Sequence, residues 1–232
     1  MLKEVRACRV CAGSLPNEPR PLVAASASSR LVLIGQAPGR VAHETGVPWN
    51  DASGRRLRQW LGVSDEEFYD PSLIALVPMG FCFPGKGKGG DMPPRPECAP
   101  LWHPRILPKL RKVELTVYIG RYPFERYLAR EFASLTEGVR AADRLLPDRI
   151  LLPHPSPRNQ LWIRANPWFE QEVLPLLQRR VGRVVGARRY AEVAEATQGA
   201  PRGGKGEGGE GNAKSKTRPP AWRGPKNARR GG

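Results

Sequence analysis

Short apolar runs alternate along the chain with longer stretches of helical periodicity. Four of the runs have the length of a strand: Leu31 to Ile34, Leu73 to Val77, Leu115 to Ile119 and Ile150 to Leu152. Strands that alternate with helices are typical of parallel sheets, because a helical crossover returns the chain to the edge from which it started. The pattern predicts an α/β fold, a three-layer α/β/α sandwich around a central, mainly parallel four-stranded sheet.

Three segments have the spacing of amphipathic helices. The first should turn Arg58 away from the core, the second should begin at Pro123, and the third should be capped by Asn166 and kinked by Pro175. Their predicted buried faces are Leu57, Trp60 and Leu61 in the first, Phe124, Leu128, Phe132 and Leu135 in the second, and Phe169, Val173, Leu177 and Val181 in the third.

The 232 residues include 38 Lys and Arg against 22 Asp and Glu, which gives a formal net charge of +16. Residues 198–232 are rich in Gly, Lys, Arg and Pro and hold almost no aliphatic side chains, so they cannot bury enough apolar surface to become ordered. We predict one domain over residues 1–197 and a disordered basic tail over residues 198–232. The rest of the chain is also basic, which favours a polyanionic partner such as a nucleic acid.

No run approaches the ~20 apolar residues that a membrane span needs. The first residues, MLKEVRACRV, carry charges where a signal peptide would be apolar. We therefore expect a soluble, cytoplasmic protein that does not engage membranes. We also expect a monomer.

Two loops follow predicted strands at the edge of the sheet where reactive groups usually gather. The first reads GQAPGRVAHETGVPWNDASG. Gly35, Pro38 and Gly39 around Gln36 allow a tight turn and the close approach of a flat ligand, and Ser53 is predicted to cap the next helix. The loop lacks the Lys-Ser/Thr of a P-loop and the GxGxxG motif, so nucleoside triphosphates and NAD are poor candidates. It also supplies the polar or aromatic side chains His43, Glu44, Trp49 and Asp51.

The second loop, PHPSPRNQLW, follows the last predicted strand. Three prolines stiffen the backbone around His154, while Ser156, Arg158 and Asn159 offer hydrogen-bond donors. A histidine held in this way at a strand end is a candidate catalytic group.

Four cysteines are spaced as a possible metal site. Cys8 and Cys11 form a C-x2-C pair, Cys82 follows after 70 residues and Cys98 after a further 15. Four thiolates suit a 4Fe-4S cluster or tetrahedral zinc, and the spacing does not separate the two. Free buried thiols are the alternative, but the loop between Cys82 and Cys98 has little apolar cover of its own. A metal site that pins this loop is therefore favoured.

The motif GQAPG resembles the GEAPG or GLAPG element of uracil-DNA glycosylases in the iron-sulfur branches of bacteria and archaea, families 4 and 5. HPSPRN resembles the histidine-bearing loop of the same superfamily, and its sequence is most similar to that of the single-strand-selective branch. The cysteine spacing also matches the iron-sulfur branches, and the resemblance extends from residue 8 to about residue 180. It implies a uracil-DNA glycosylase-like fold, a DNA-repair glycosylase acting on DNA that contains uracil or other deaminated bases, and a 4Fe-4S cluster rather than zinc.

The resemblance also implies a division of roles. Releasing a base needs a flat side chain that stacks on it, a donor for the charge developing on its O2, and a carboxylate that orients water. Trp49 fits the first role, His154 the second and Asp51 the third, with Glu44 as the second choice of carboxylate. Gln36 stands at the position of a family 4 glutamate and is expected to touch the base or the water.

Base recognition departs from the family pattern, because Pro78 stands where family 4 has the asparagine that reads uracil. Either Asn50 or Asn159 then reads uracil, or the protein acts weakly, or it acts on other deaminated bases. The predicted substrate-binding set is completed by Gly35, Ala37, Pro38, Gly39, Ser156 and Arg158, the last two joined by Lys86 and Lys88 as phosphate contacts.

Two other functions are compatible with the same residues. A metal-pinned basic protein could bind damaged or abasic DNA without cutting it, and it would not need Trp49, Asp51 and His154 to converge on one base. A small-molecule hydrolase or transferase could use His154 and Asp51 in an enclosed pocket away from any basic groove.

Overall fold

The computed structural model describes residues 1–186, and the predicted tail at residues 198–232 lies outside the described residues. The described strands are β1 Leu31–Ile34, β2 Ile74–Leu76, β3 Lys86–Gly87, β4 Gly90–Asp91, β5 Leu115–Ile119 and β6 Arg149–Leu152. Four of them form a sheet in the order β2-β1-β5-β6, and β3 pairs with β4 in a separate antiparallel hairpin.

The central sheet is parallel throughout and reverses its strand order at β1. Leu31 lies opposite Ile74 of β2 on one side and Leu115 of β5 on the other, and β5 pairs with β6. The chain therefore builds one edge of the sheet first and returns to build the other. Because parallel crossovers are right-handed, this reversal places helices on both faces. The predicted α/β class with a four-stranded parallel sheet is confirmed.

Helices cover the sheet and bury its strands almost completely. The described helices are α1 Leu2–Arg6, α2 Arg40–Thr45, α3 Ala52–Leu61, α4 Asp65–Tyr69, α5 Cys98–Ile106, α6 Arg121–Tyr127, α7 Leu135–Arg140, α8 Ala142–Leu145, α9 Gln160–Ala165 and α10 Leu174–Val185. α10 packs on α3 and β1, α6 on β5, and α7 and α8 on β6. No helix within residues 1–186 is both long enough and apolar enough to cross a bilayer.

The first predicted helix is α3, and its predicted apolar face is buried. Arg58, however, is not turned to solvent. It follows Gly54 by one helical turn on the buried face, and its guanidinium pairs with Asp65 at 2.6 Å while lying over the rings of Phe68 and Tyr69. A long cationic side chain can be buried when its charged group pairs with a carboxylate and stacks on aromatic rings.

The second predicted helix is divided in two. α6 begins at Arg121 rather than Pro123 and ends at Tyr127. Ser134 then starts α7 by accepting the backbone N–H of Glu137 at 3.1 Å, an N-cap that initiates a new helix. The apolar positions of this segment are still buried across the break, except that Leu135 is only partly covered.

The third predicted helix begins with a wider turn. A π-helical turn over Phe169–Val173 precedes α10, and Pro175 lies in the first turn of α10. Because proline has no N–H to donate one turn back, the wider turn accommodates it. Asn166 does not cap with its side chain, which donates to the carbonyl of Trp162 at 2.8 Å. All four predicted apolar positions are nevertheless buried.

Candidate active-site cleft

A cleft of about 450 Å³ opens at the carboxyl edge of the sheet. Segments that follow all four strands line it, through Gly35 after β1, Pro78 after β2, Tyr122 after β5 and His154 after β6. Ligands of parallel α/β sheets bind at this edge, where the strand order reverses. The position and size of the cleft make it the candidate active site.

Most of the predicted site residues meet in this cleft. Those that line it are Gly35, Gln36, Ala37, Pro38, Gly39, Trp49, Asp51, His154, Ser156, Arg158 and Asn159. Asn50 is half-buried but is not part of the lining. Glu44 lies outside the cleft, because α2 buries Ala42 and turns Glu44 to solvent, where it pairs with Arg40 at 2.8 Å.

Trp49 lies on the cleft wall in a constrained conformation. Its φ of 58° falls in the left-handed region that non-glycine residues rarely adopt. Its ring stacks with the imidazole of His154 at a centroid distance of 5.8 Å and an angle of 28°. A Cβ on Gly35 would lie 2.7 Å from Cζ2 of Trp49. The glycine after β1 is therefore what lets this indole approach the strand end.

The loop that carries Trp49 is held from both sides. Tyr69 donates its hydroxyl to the carbonyl of Pro48 at 3.0 Å, and Oδ1 of Asp51 accepts the N–H of Gly54 at 2.8 Å. Asp51 is thus the N-cap of α3, and the prediction that Ser53 caps this helix is wrong. Ser53 is instead the second residue of the helix, buried against the cleft. These bonds offset the strain of the left-handed residue between them.

His154 is fixed as a neutral hydrogen-bond donor. Its Nδ1 accepts the backbone N–H of Ser156 at 3.2 Å, so the proton of the neutral ring is assigned to Nε2. Asn159 donates its amide to the carbonyl of His154 at 2.7 Å. Burial lowers the pKa of His154, and the nearby charge of Asp51 opposes this shift only in part. The ring is therefore neutral at neutral pH, with Nε2–H available.

Sequence reasoning missed the hairpin of β3 and β4, which forms a further wall of the cleft through Gly89, Gly90 and Asp91. Its signal was the glycine-rich run GKGKGGD, a composition typical of tight hairpin turns. Tyr122 was also missed, although it follows the predicted strand that ends at Ile119 and shares its edge of the sheet.

A family model described as the uracil DNA glycosylase superfamily matches residues 23–178. The chain belongs to this superfamily. The matched range is more than half of the chain and covers the central sheet, both cleft loops and the hairpin. It includes Cys82 and Cys98, whereas Cys8 and Cys11 lie before it.

The four cysteines of this uracil DNA glycosylase superfamily member line one small cavity together with Phe81 and Trp102. Burial raises the pKa of the Cys82 thiol to about 12 and that of Cys98 to about 11, and the neighbouring cysteines add to both shifts. Such thiols ionise only beside a cation. Within residues 1–186 no group of three or more His, Cys, Asp or Glu side chains has the arrangement that holds a metal ion.

Proposed function

We propose that this protein is a DNA-repair glycosylase that hydrolyses the N-glycosidic bond of uracil, or of a related deaminated base, and leaves an abasic site. The observation that carries the proposal is the neutral His154, whose Nε2–H has no partner among the described residues and lies beside Trp49 in the cleft. Membership of the uracil DNA glycosylase superfamily supports a glycosylase that acts on DNA.

In the proposed mechanism the target base leaves the stack and enters the cleft, where Trp49 offers a flat face. The bond between the sugar C1′ and the base nitrogen breaks, and its electron pair leaves with the base. Nε2–H of His154 donates a hydrogen bond to the base oxygen on which negative charge develops. The sugar becomes an oxocarbenium-like cation, which the carboxylate of Asp51 stabilises. Water then adds to C1′ and gives up its proton to Asp51.

The surroundings of the cleft suit a nucleic-acid strand. Arg158 lines the cleft, and Lys86 and Lys88 are exposed on the hairpin beside it. Cations at these positions would contact phosphates on either side of an extruded nucleotide. An open cleft flanked by cations supports a DNA enzyme over a small-molecule hydrolase. The convergence of Trp49, Asp51 and His154 supports an enzyme over a binding protein.

We further propose that Cys8, Cys11, Cys82 and Cys98 hold a 4Fe-4S cluster, as in the iron-sulfur branches of the superfamily, with zinc as the alternative occupant. The donor set fits, because the four thiols line one small cavity. A cluster there would serve as a structural clamp rather than a reactant. Cys82 and Cys98 stand at the two ends of the segment that contains the hairpin, so they would fix that segment at both ends.

The test of the glycosylase proposal is excision from oligonucleotides that carry uracil, hypoxanthine or xanthine, read out by alkaline cleavage of the abasic product. The purified protein should excise at least one of these bases. His154→Ala should slow single-turnover excision by about 100-fold or more while binding the same oligonucleotide as tightly, because the lost donor matters when charge develops on the departing base.

His43→Ala is the matched control, since His43 lies on α2 and does not line the cleft. It should retain excision. If the unmodified protein releases none of the three bases, the proposed function is wrong. If His154→Ala excises as fast as the unmodified protein, the assignment of the site is wrong.

A further inference from the structure

The hairpin of β3 and β4 is hydrogen-bonded to the two loops that line the cleft, the loop after β1 and the loop after β6. Gln36 of the first loop donates its amide to the carbonyl of Met92 at 3.4 Å, and Arg158 of the second donates to the carbonyl of Gly89. The side chain of Asp91 lies against the first loop, since a Cβ on Gly39 would be 3.3 Å from its Oδ2. Asp91 is thereby presented to the cleft by a segment distant in sequence from both loops.

Several polar side chains that line this cleft are held in place by hydrogen bonds within the protein. Pro78 has no polar side-chain atom, and its carbonyl is hydrogen-bonded to Nε2 of His103 at 3.0 Å. The side-chain nitrogens of Gln36 and Asn159 donate to the carbonyls of Met92 and His154. Oδ1 of Asp51 accepts the N–H of Gly54, and the Ser156 hydroxyl accepts the N–H of Arg158.

Asp91 differs from these groups. Its carboxylate forms no hydrogen bond or ion pair with the described residues, and it remains accessible to a ligand in the cleft. Partial burial raises the pKa of Asp91, the charges of Lys86 and Arg158 oppose that shift, and the nearby charge of Asp51 adds to it. An ionised carboxylate is an acceptor only. A donor bound in the cleft would meet a free acceptor here, since no described residue donates to this carboxylate.

We propose that Asp91 is a specificity-determining residue whose carboxylate accepts the ring N–H of an extruded lactam base. Uracil carries this N–H at N3 and hypoxanthine at N1, whereas cytosine and adenine carry a lone pair at the same ring position. A carboxylate binds the N–H and repels the lone pair, so it selects the deaminated base over its parent. The inference rests on the proposed glycosylase function and names the group that reads its substrate.

The chemistry of this contact separates it from the role proposed for Asp51. A group that stabilises the sugar cation or accepts a proton from water affects every base alike, because the sugar is the same. A group that reads the ring N–H affects only bases that carry it. Discrimination between two bases that differ at that one position is therefore the decisive readout.

The experiment compares single-turnover excision of uracil and of 3-methyluracil from otherwise identical single-stranded oligonucleotides. In 3-methyluracil a methyl group replaces the N3 hydrogen. The unmodified protein should excise uracil much faster. Asp91→Ala should slow uracil excision by about 10- to 100-fold, the range expected for one hydrogen bond to a charged group. It should leave 3-methyluracil excision unchanged or faster, so that the ratio of the two rates collapses.

Two further variants guard against indirect effects. Asp91→Asn keeps a carbonyl acceptor and similar volume, so it should recover part of the uracil preference that alanine loses. Asp143→Ala makes the same truncation at an exposed site on α8, before β6 and so at the opposite edge of the sheet. It should keep both the rates and their ratio.

Each outcome decides the question. An unchanged ratio in Asp91→Ala overturns the proposal, even if both rates fall together, because an equal loss points to the sugar or the water. Equal excision of uracil and 3-methyluracil by the unmodified protein overturns it as well. Excision of neither base, nor of hypoxanthine or xanthine, by the unmodified protein rejects the proposed function itself rather than the role of Asp91.

Discussion

Asp51 acts at two levels that can be separated at the scale of a single residue. Its Oδ1 caps α3 through the N–H of Gly54, and its charge raises the pKa of His154 against the effect of burial. The first effect needs only an oxygen acceptor, whereas the second needs a negative charge. An amide supplies the acceptor without the charge.

We therefore expect Asp51→Asn to keep the stability of the fold and lose most of the excision rate, because asparagine caps a helix about as well as aspartate. Asp51→Ala should lose the same activity and also about 1 kcal/mol of stability with the cap. Thermal melting and single-turnover excision measure the two effects. Glu44→Gln is the control and should be active, since Glu44 lies outside the cleft. Full activity in Asp51→Asn would remove Asp51 from the chemistry.

At the scale of the element, the first turn of α3 requires a glycine at position 54, because the main chain of Trp49 lies against it. Replacing a helical glycine by alanine normally stabilises a helix by about 1 kcal/mol. At Gly54 a Cβ would lie 1.7 Å from the carbonyl oxygen of Trp49. The main chain of the Trp49 loop would have to move, and the strained residue would lose its support.

Gly54→Ala should therefore destabilise the protein by roughly 1–3 kcal/mol, the cost typical of overpacking, and lower excision as well. Gly13→Ala is the matched control, because a Cβ at Gly13 meets nothing within 4 Å. It should leave the melting temperature nearly unchanged. Equal melting temperatures for the two variants would contradict this prediction, because they would show that the Trp49 loop can move without a cost in stability.

The cavity lined by the four cysteines gives a second prediction at this scale, which concerns the proposed iron-sulfur cluster. The purified protein should be brown, with the broad absorbance near ~400 nm of thiolate-bound iron-sulfur. Cys82→Ser should lose the colour and lower the folding yield, because the segment between Cys82 and Cys98 loses an anchor. Elemental analysis completes the test. Zinc without iron would exclude the 4Fe-4S cluster, and the site would then be a structural zinc site that fixes the same segment.

At the scale of the molecule, the buried His103 and the half-buried His154 link stability to pH. His103 is hydrogen-bonded through Nδ1 to the Tyr127 hydroxyl at 2.5 Å and through Nε2 to the carbonyl of Pro78 at 3.0 Å. Burial lowers its pKa, as it does for His154. In the unfolded chain both take up protons near pH ~6.5, whereas in the folded protein they do so only at lower pH.

The free energy of unfolding should therefore be constant above pH ~6.5 and fall as the pH drops below that value, because the unfolded state then binds more protons. The limiting slope is about 1.4 kcal/mol per pH unit for each histidine. Denaturation midpoints between about pH 7.5 and pH 5.5 test this above the range of the carboxyl groups. His103→Gln should reduce the slope. A slope unaffected by that substitution would assign the pH dependence to other groups.

The whole fold was more predictable than its details for a physical reason. Parallel strands are buried on both faces, so they stand out as continuous apolar runs, and Leu31–Ile34 and Leu115–Ile119 were bounded correctly. The break between α6 and α7 left the apolar spacing intact and was not visible in it. The burial of Arg58 depended on Asp65 and Tyr69, which tertiary packing brings beside it.

The candidate site divides in the same way. His154 lies two residues after β6, and Trp49 belongs to the long loop that follows β1, so the parallel sheet places both at the same edge. Asp91 reaches the cleft only because Gln36 and Arg158 fasten a hairpin that is remote from both in sequence. No local pattern reports such a contact. The metal role of the cysteines remains a prediction.

The strand order of the central sheet also governs when the cleft can exist. Each pairing joins distant parts of the chain, as when Leu31 meets Ile74 on one side and Leu115 on the other. Closing such long loops costs entropy before any contact rewards it, so sheets of this kind form slowly. The short helices can form earlier, within their own segments. During refolding from denaturant, excision should therefore return with the slowest phase, after the helical circular dichroism signal has largely recovered.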